Sequence, residues 1–266
     1  MESFKVIQPS AVLLPYVQRY WILRTDNTTQ SGQRIIPNGC MELMFNIGDD
    51  IRFRSANSFQ PPSYIKGQNS NYYDLFPSGK VHLISVSFTP FGGKAFFEMP
   101  LYTFNNECID IRDIGDLLLK DLAESISDNV EDECTCIKRI ENFLLSRFTP
   151  LKNYNQQRLS AVIETINKSK TVDIKLLAEI SCLSYRQFIR VFTDHVGINP
   201  KEYLRIVRFQ KALYTLQCHP DISSIDLAFR CGFYDQSHLI NEFKNLSGYT
   251  PLEYPTLCEP RSDYFS

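Results

Sequence analysis

Two stretches of this 266-residue chain, 51 positions apart, repeat one another, and both carry the punctuation of a helix. Ser184-Tyr185-Arg186-Gln187-Phe188-Ile189-Arg190-Val191-Phe192, continuing to Gly197-Ile198-Asn199-Pro200-Lys201-Glu202-Tyr203, lies over Asp235-Gln236-Ser237-His238-Leu239-Ile240-Asn241-Glu242-Phe243, continuing to Gly248-Tyr249-Thr250-Pro251-Leu252-Glu253-Tyr254. Ser184 and Asp235 are N-cap residues, and Gly197 and Gly248 supply the left-handed stop. Asn199-Pro200 and Thr250-Pro251 then open a further helix, with a cap, a proline at the first helical position and a glutamate at the third. Each copy is preceded by a Leu-Ala pair, Leu177-Ala178 and Leu227-Ala228, and a tight turn. The small alanine lets the following helix cross closely, as a helix-turn-helix requires. The second turn contains Gly232; the first, Ser181-Cys182-Leu183, is one residue shorter. Between the copies the sequence predicts a helix from Pro200 to about Gln217. At ~1.5 Å per residue it spans roughly 27 Å, near the ~34 Å between successive major-groove faces of B-DNA.

The chain ahead of the repeat has a different texture. In Cys40 to Ile47 one alternate set (Met41, Leu43, Phe45, Ile47) is apolar and the other mixes Glu42 and Asn46, which predicts a half-buried strand. It is entered through Pro37-Asn38-Gly39 and left through Gly48-Asp49-Asp50 into Ile51-Arg52-Phe53-Arg54, so a hairpin is expected. Val81 to Phe88 is a second strand, and many short strands with turn signals suggest an antiparallel barrel or sandwich. From about residue 113 the period becomes helical. Ile114, Leu117, Leu118, Leu122 and Ile126 form one stripe, and Ile137, Ile140, Leu144, Leu145 and Phe148 another; these helices cover the barrel or pair with a second subunit. Asp128 to Glu133 reads as a solvated acidic loop, and Pro150 with Lys152 to Gln157 as a linker. The expectation is an α+β chain: a β-rich sensor domain at 1–112, a helical dimerisation or linker segment at 113–149, a linker at 150–157 and an all-α tandem helix-turn-helix domain at 158–256.

Residues 158 to 254 resemble the DNA-binding domain of the AraC/XylS family of transcription regulators. The resemblance is carried by Ala228, Gly232-Phe233-Tyr234-Asp235-Gln236-Ser237-His238-Leu239, Phe243-Lys244, Gly248-Tyr249-Thr250-Pro251 and Tyr254. Pro255 departs from it, since the family usually has Arg after the Tyr. Arg34-Ile35-Ile36-Pro37-Asn38-Gly39 and Phe88-Thr89-Pro90-Phe91-Gly92-Gly93 resemble the uncharacterised cupin-like domain found on some of these regulators. The resemblance implies binding to double-stranded promoter DNA, with RNA polymerase as a further candidate partner. For the N-terminal domain it implies effector binding or homodimerisation.

Helical geometry sorts each copy. At ~100° per residue, Phe188, Val191, Phe192 and His195 fall inward while Arg186, Ile189, Arg190 and Thr193 point away. In the second copy Leu239 and Phe243 are buried and Ser237, Ile240, Asn241 and Lys244 exposed, with Gln236 at the exposed tip. Arg pairs bidentately with guanine, and Asn or Gln with adenine. Arg186 and Arg190 are therefore expected to read a G-containing segment, and Gln236, Ser237 and Asn241 an A-containing one a helical turn away. Thr193, Lys201, Arg205 and Lys244 are the expected phosphate contacts, whereas Arg208, beside Phe209 and Ala212, reads at least as well as structural. His195 and His238 read as packing residues.

The formal charge of −2 hides an asymmetry: residues 1–150 carry 14 basic and 18 acidic side chains, residues 151–255 carry 13 and 10. Even so, the excess of three is modest, and the 51-residue repeat marks the domain where charge does not. Eight scattered cysteines without a CxxC, no apolar run near ~18 residues and no signal-like start predict a cytoplasmic protein with free thiols. No phosphate loop, nucleophile elbow or HExxH is present, and His82 is the one histidine ahead of residue 150, so no catalytic residue, metal or cofactor is expected. Trp21, Arg34, Asn38, Glu42, Tyr64, Tyr72 and Tyr73 are the candidates to line a pocket for a small organic effector. A rival from another class is a small-molecule-binding or catalytic barrel whose helical C-terminal domain mediates protein contacts.

Overall fold

The computed structural model describes residues 2–26, 32–53, 59–128, 132–150 and 153–257. Arg54, Lys152, Cys258 and the middle of the acidic loop, 129–131, lie outside them. Among the described residues the N-terminal domain has nine strands: β1 (Glu2–Ile7), β2 (Val17–Thr25), β3 (Gln33–Ile35), β4 (Glu42–Asn46), β5 (Ile51–Phe53), β6 (Ser63–Lys66), β7 (Tyr73–Pro77), β8 (Val81–Phe88) and β9 (Cys108–Asp110). They form two antiparallel sheets, one ordered β1-β2-β8-β4-β6-β9 and the other β3-β7-β5. The domain is an open, cupin-like sandwich and not a closed barrel, because the two sheets share no ladder.

Two sequence expectations are corrected here. Ile51 to Phe53 does not form a hairpin with β4: β5 pairs with β7 in the other sheet, while β4 lies between β8 and β6. The chain crosses between sheets at Gly48, where a Cβ would fall 2.5 Å from the backbone of Lys80 and His82. The Asn46 side chain ties the corner, accepting from Gly48 N and donating to Asp49 O. Nor is β4 half-buried, since Glu42 to Phe45 are buried throughout. One face (Leu43, Phe45) joins a core with Ile84, Val86 and Phe88, and the other meets the three-stranded sheet through Met44.

Helices α1 (Leu117–Ser127) and α2 (Glu133–Arg147) cover the first of these faces. Their buried stripes are Leu119, Leu122 and Ile126, and Ile137, Ile140, Phe143 and Leu144. Leu117, Leu118 and Leu145, expected in the stripes, are 74%, 60% and 42% exposed. At ~100° per residue the buried stripe of α1 centres on Leu119, Leu122 and Ile126, which leaves Leu117 on the opposite side and Leu118 at the edge.

The polar run expected as a linker is helical from its second residue, since Asn153 to Gln157 contains neither Gly nor Pro and continues into α3 (Asn153–Lys168). After it come α4 (Ile174–Ile180), α5 (Tyr185–Val196), α6 (Pro200–Cys218), α7 (Ser224–Cys231), α8 (Gln236–Ser247) and the short α9 (Tyr254–Leu257). Tyr203 and Ile206 of α6 pack with α3, α4 and α5, whereas Phe209, Ala212, Leu213 and Leu216 pack with α7 and α8. A single rigid helix therefore serves both helix-turn-helix cores. Among the described residues no helix is long and apolar enough to cross a membrane.

Candidate nucleic-acid interface

Each helix-turn-helix is assembled by the same local bonds. Leu183 N donates to Ala178 O at 3.1 Å and Phe233 N to Ala228 O at 2.9 Å, closing the two turns alike. The left-handed residue is Gly232 (φ +74°) in the second turn and Cys182 (φ +52°) in the first. Ser184 and Gln187 form a full capping box on α5, Asp235 accepts from His238 N at 2.7 Å on α8, and Gly197 and Gly248 end the two helices in the left-handed region.

Capping and packing leave one face of each second helix in solvent. Phe188 and Phe192 on α5, and Leu239 and Phe243 on α8, are at most 1% exposed. Arg186 and Arg190 stand exposed on α5, as do Gln236, Ser237 and Asn241 on α8. The structure thus brings the five expected base readers onto two solvent-facing helix surfaces, and Lys201 and Lys244 are exposed beside them. The other two expected phosphate contacts are differently placed. Arg205 is ion-paired with Glu242, tying α6 to α8. Thr193 is half-buried, with its hydroxyl oxygen enclosed and unbonded. Arg208 lies 5.5 Å from the Phe233 ring centre, where burial pulls its guanidinium below the ordinary arginine value. His195 is 9% exposed and hydrogen-bonds Val191 O at 2.9 Å; burial pulls its pKa down. His238 packs edge-on against Phe233 and accepts from Tyr234 N.

The effector-pocket candidates fall into two groups. Trp21, Glu42, Tyr64 and Tyr73 gather between the two sheets. There Lys66 Nζ donates to Glu42 Oε2 at 3.1 Å, and Trp21 Nε1 and Ser87 Oγ converge on Glu42 Oε1 at 3.3 and 3.1 Å. These buried polar groups satisfy one another, as interior charges must. Arg34, Tyr72 and Asn38 lie instead at the boundary with the helical domain. The Arg34 guanidinium is stacked between Tyr72 and Tyr249, 4.3 and 4.5 Å from the ring centres. It donates to both Asp74 carboxylate oxygens at 2.7 and 3.0 Å and to Ser247 O, at the end of α8, at 3.1 Å.

This boundary is extensive, and the sequence reading missed it. Gln68 Nε2 donates to Val196 O at 2.7 Å, and Lys94 lies 3.6 Å from Asp194, both at the end of α5. Ile36 enters the core of the second helix-turn-helix and Phe91 that of the first. Both come from the two segments that carry the N-terminal resemblance, so those segments are docking elements.

Comparison with known proteins agrees with this division. Residues 177–256 match a family described as a helix-turn-helix domain, and residues 5–110 match a domain of unknown function, DUF6597. The transcriptional activator RhaS of Enterobacter sp. (strain 638) is 32% identical over 101 residues, covering 37% of this chain and 36% of the relative. An uncharacterised helix-turn-helix transcriptional regulator of Haemophilus influenzae is 33% identical over 81 residues, covering 30% and 27%. The chain spans about a third of the length of these curated relatives. Among solved structures, the DNA-binding domain of AdpA in complex with a target DNA is 27% identical over 37% of this chain and 88% of that one, with a TM-score of 0.34. ToxT from Vibrio cholerae O395 covers 95% of this chain and 98% of its own at 10% identity and a TM-score of 0.48.

Proposed function

Because residues 177–256 form an AraC-type helix-turn-helix domain, we propose that this chain regulates transcription by binding promoter DNA sequence-specifically, with its two exposed helices α5 and α8 in successive major-groove segments. The observation that carries the reading is the pairing of a buried apolar face with a solvent-facing set of bidentate side chains on both helices. Arg186 and Arg190 read guanine, while Gln236, Ser237 and Asn241 read an A-containing segment. Lys201 and Lys244 are the exposed phosphate contacts, and Arg205 acts by holding α8 to α6 through Glu242. The relatives' description as transcriptional regulators supports this reading over the rival in which the helical domain mediates only protein contacts.

Selection of binding sites from random DNA tests the assignment. Arg190→Ala should relax base preference in one half of the site and Asn241→Ala in the other, each by about 1–3 kcal/mol, or roughly 5- to 150-fold. Unchanged preferences in both variants would overturn it. With few phosphate contacts, affinity should fall less steeply with salt than for a protein making ~6–10 of them.

The N-terminal sandwich, docked on both helix-turn-helix units, is the regulatory half. An effector acts there by binding the docked and undocked arrangements unequally, which is the condition for coupling to DNA affinity.

A further inference from the structure

A cleft of about 740 Å³ opens along the boundary between the two domains. Its walls are mainly apolar: Pro15, Pro90 and Phe91 from the sandwich, and Ile163, Tyr203 and Val207 from α3 and α6. Four amide side chains, Gln18, Asn38, Asn167 and Gln210, interrupt them. Gln210, 5% exposed, donates through Nε2 to the Pro37 carbonyl, and its Oε1 is buried without a hydrogen-bond partner. Asn38 accepts from Cys40 N at 3.0 Å through Oδ1. A buried acceptor left unbonded costs about 1–3 kcal/mol, so the cleft wall holds an unmet demand for a donor.

The charged groups along the cleft are already committed. Lys211 Nζ donates to Ile166 O and Ser169 O, both at 2.8 Å, capping the end of α3. Lys168 and Glu164 pair with each other at 2.5 Å on the exposed rim. Burial pushes the Cys40 thiol up to about 12, so this wall also stays neutral. A carboxylate or phosphate entering the cleft would lose hydration and meet an ammonium already held by two backbone carbonyls and a lysine already paired with Glu164.

We propose that this cleft is a binding site for an uncharged, largely apolar small molecule carrying a hydroxyl or N–H donor that bonds Gln210 Oε1. This deepens the regulatory reading above: the ligand touches both domains at once, so its binding favours the docked arrangement.

Three probes that share one ring system separate the chemistry: 1-aminoanthracene, 1-methylanthracene and anthracene-1-carboxylate, titrated by fluorescence against the full chain. The amine should bind saturably, at least about 5-fold tighter than the methyl compound and tighter still than the carboxylate. Ser160, an exposed α3 residue on the cleft wall, takes a blocking substitution without disturbing the core. Ser160→Trp should weaken amine binding about 10-fold or more while its thermal unfolding in the absence of probe stays near wild type. Gln210→Leu should erase the preference for amine over methyl. Absence of saturable binding, equal binding by Ser160→Trp, or a carboxylate that binds as well as the amine would overturn the proposal. A mobility shift on the same preparation keeps the two readings apart: DNA binding without probe binding rejects the cleft alone, and probe binding without DNA binding rejects the regulatory function alone.

Discussion

Arg34 shows how much one side chain can join. Its planar guanidinium stacks on an aromatic ring from each domain, binds Asp74 at both oxygens and reaches the carbonyl of Ser247. A lysine keeps the charge but not the stacking or the fork. Arg34→Lys should therefore weaken docking by about 2 kcal/mol, read as a lower thermal midpoint and faster hydrogen exchange of the amides at 247–250. Exchange rates equal to wild type would mean that the contact carries no docking energy. His195 makes a pH prediction of definite sign. Burial, helped by Lys94, holds its folded pKa below the ordinary 6.5 against the bond to Val191 O and the neighbouring Asp194, which both raise it. The unfolded chain takes up the proton first, so this contribution is complete above pH ~6.5 and is lost as pH falls below it. Chemical denaturation at pH 7.5 and 5.5 should show a smaller loss of stability in His195→Gln than in wild type.

At the scale of elements, the two helix-turn-helix units solve one geometric problem with different residues. Both turns need a left-handed residue between their helices, and only the second has glycine there. At Gly232 an added Cβ would lie 2.5 Å from Lys170 O, so Gly232→Ala combines a strained φ with a clash and should destabilise by more than 1 kcal/mol. Cys182 already bears the strain of φ +52°, and Cys182→Gly should stabilise the first unit by about 1 kcal/mol. Urea unfolding of both variants checks the pair, and equal signs for the two would contradict this account.

At the scale of the molecule, the sandwich completes both helical cores. Ile36 is 1% exposed among Phe209, Leu213 and Leu239, and Phe91 is buried beside Leu159 and Phe188. The long helix α6 runs through both cores, so docking, reader spacing and stability are linked. Ile36→Ala should cost about 2–4 kcal/mol even though the residue lies in the N-terminal domain. The loss should appear as earlier unfolding of the helical domain, followed by exchange of α7 and α8 amides; protection unchanged there would show that the two domains fold independently.

By itself the sequence determined the frame of the two helix-turn-helix units, though not the start of α3 ahead of them. Ser184, Asp235, Gly197, Gly232 and Gly248 act within one turn of where they stand, and the 3.6-residue period separates Arg190 and Asn241 from Phe188 and Leu239, so local pattern suffices. The strand-rich half was legible as β and not as topology. Whether Ile51 to Phe53 returns on β4 or crosses to β7 depends on Gly48 meeting a backbone more than 30 residues away. Only the tertiary structure decided which surfaces meet. Arg34 bonds a carbonyl 213 positions along the chain, and Gln210 bonds Pro37 across 173. An arginine, two tyrosines and two amides scattered over such distances carry no periodicity and no cap. Their meaning comes from the packing of one domain on the other, which leaves a stacked clamp at one end of the boundary and an unbonded acceptor in a cleft at another.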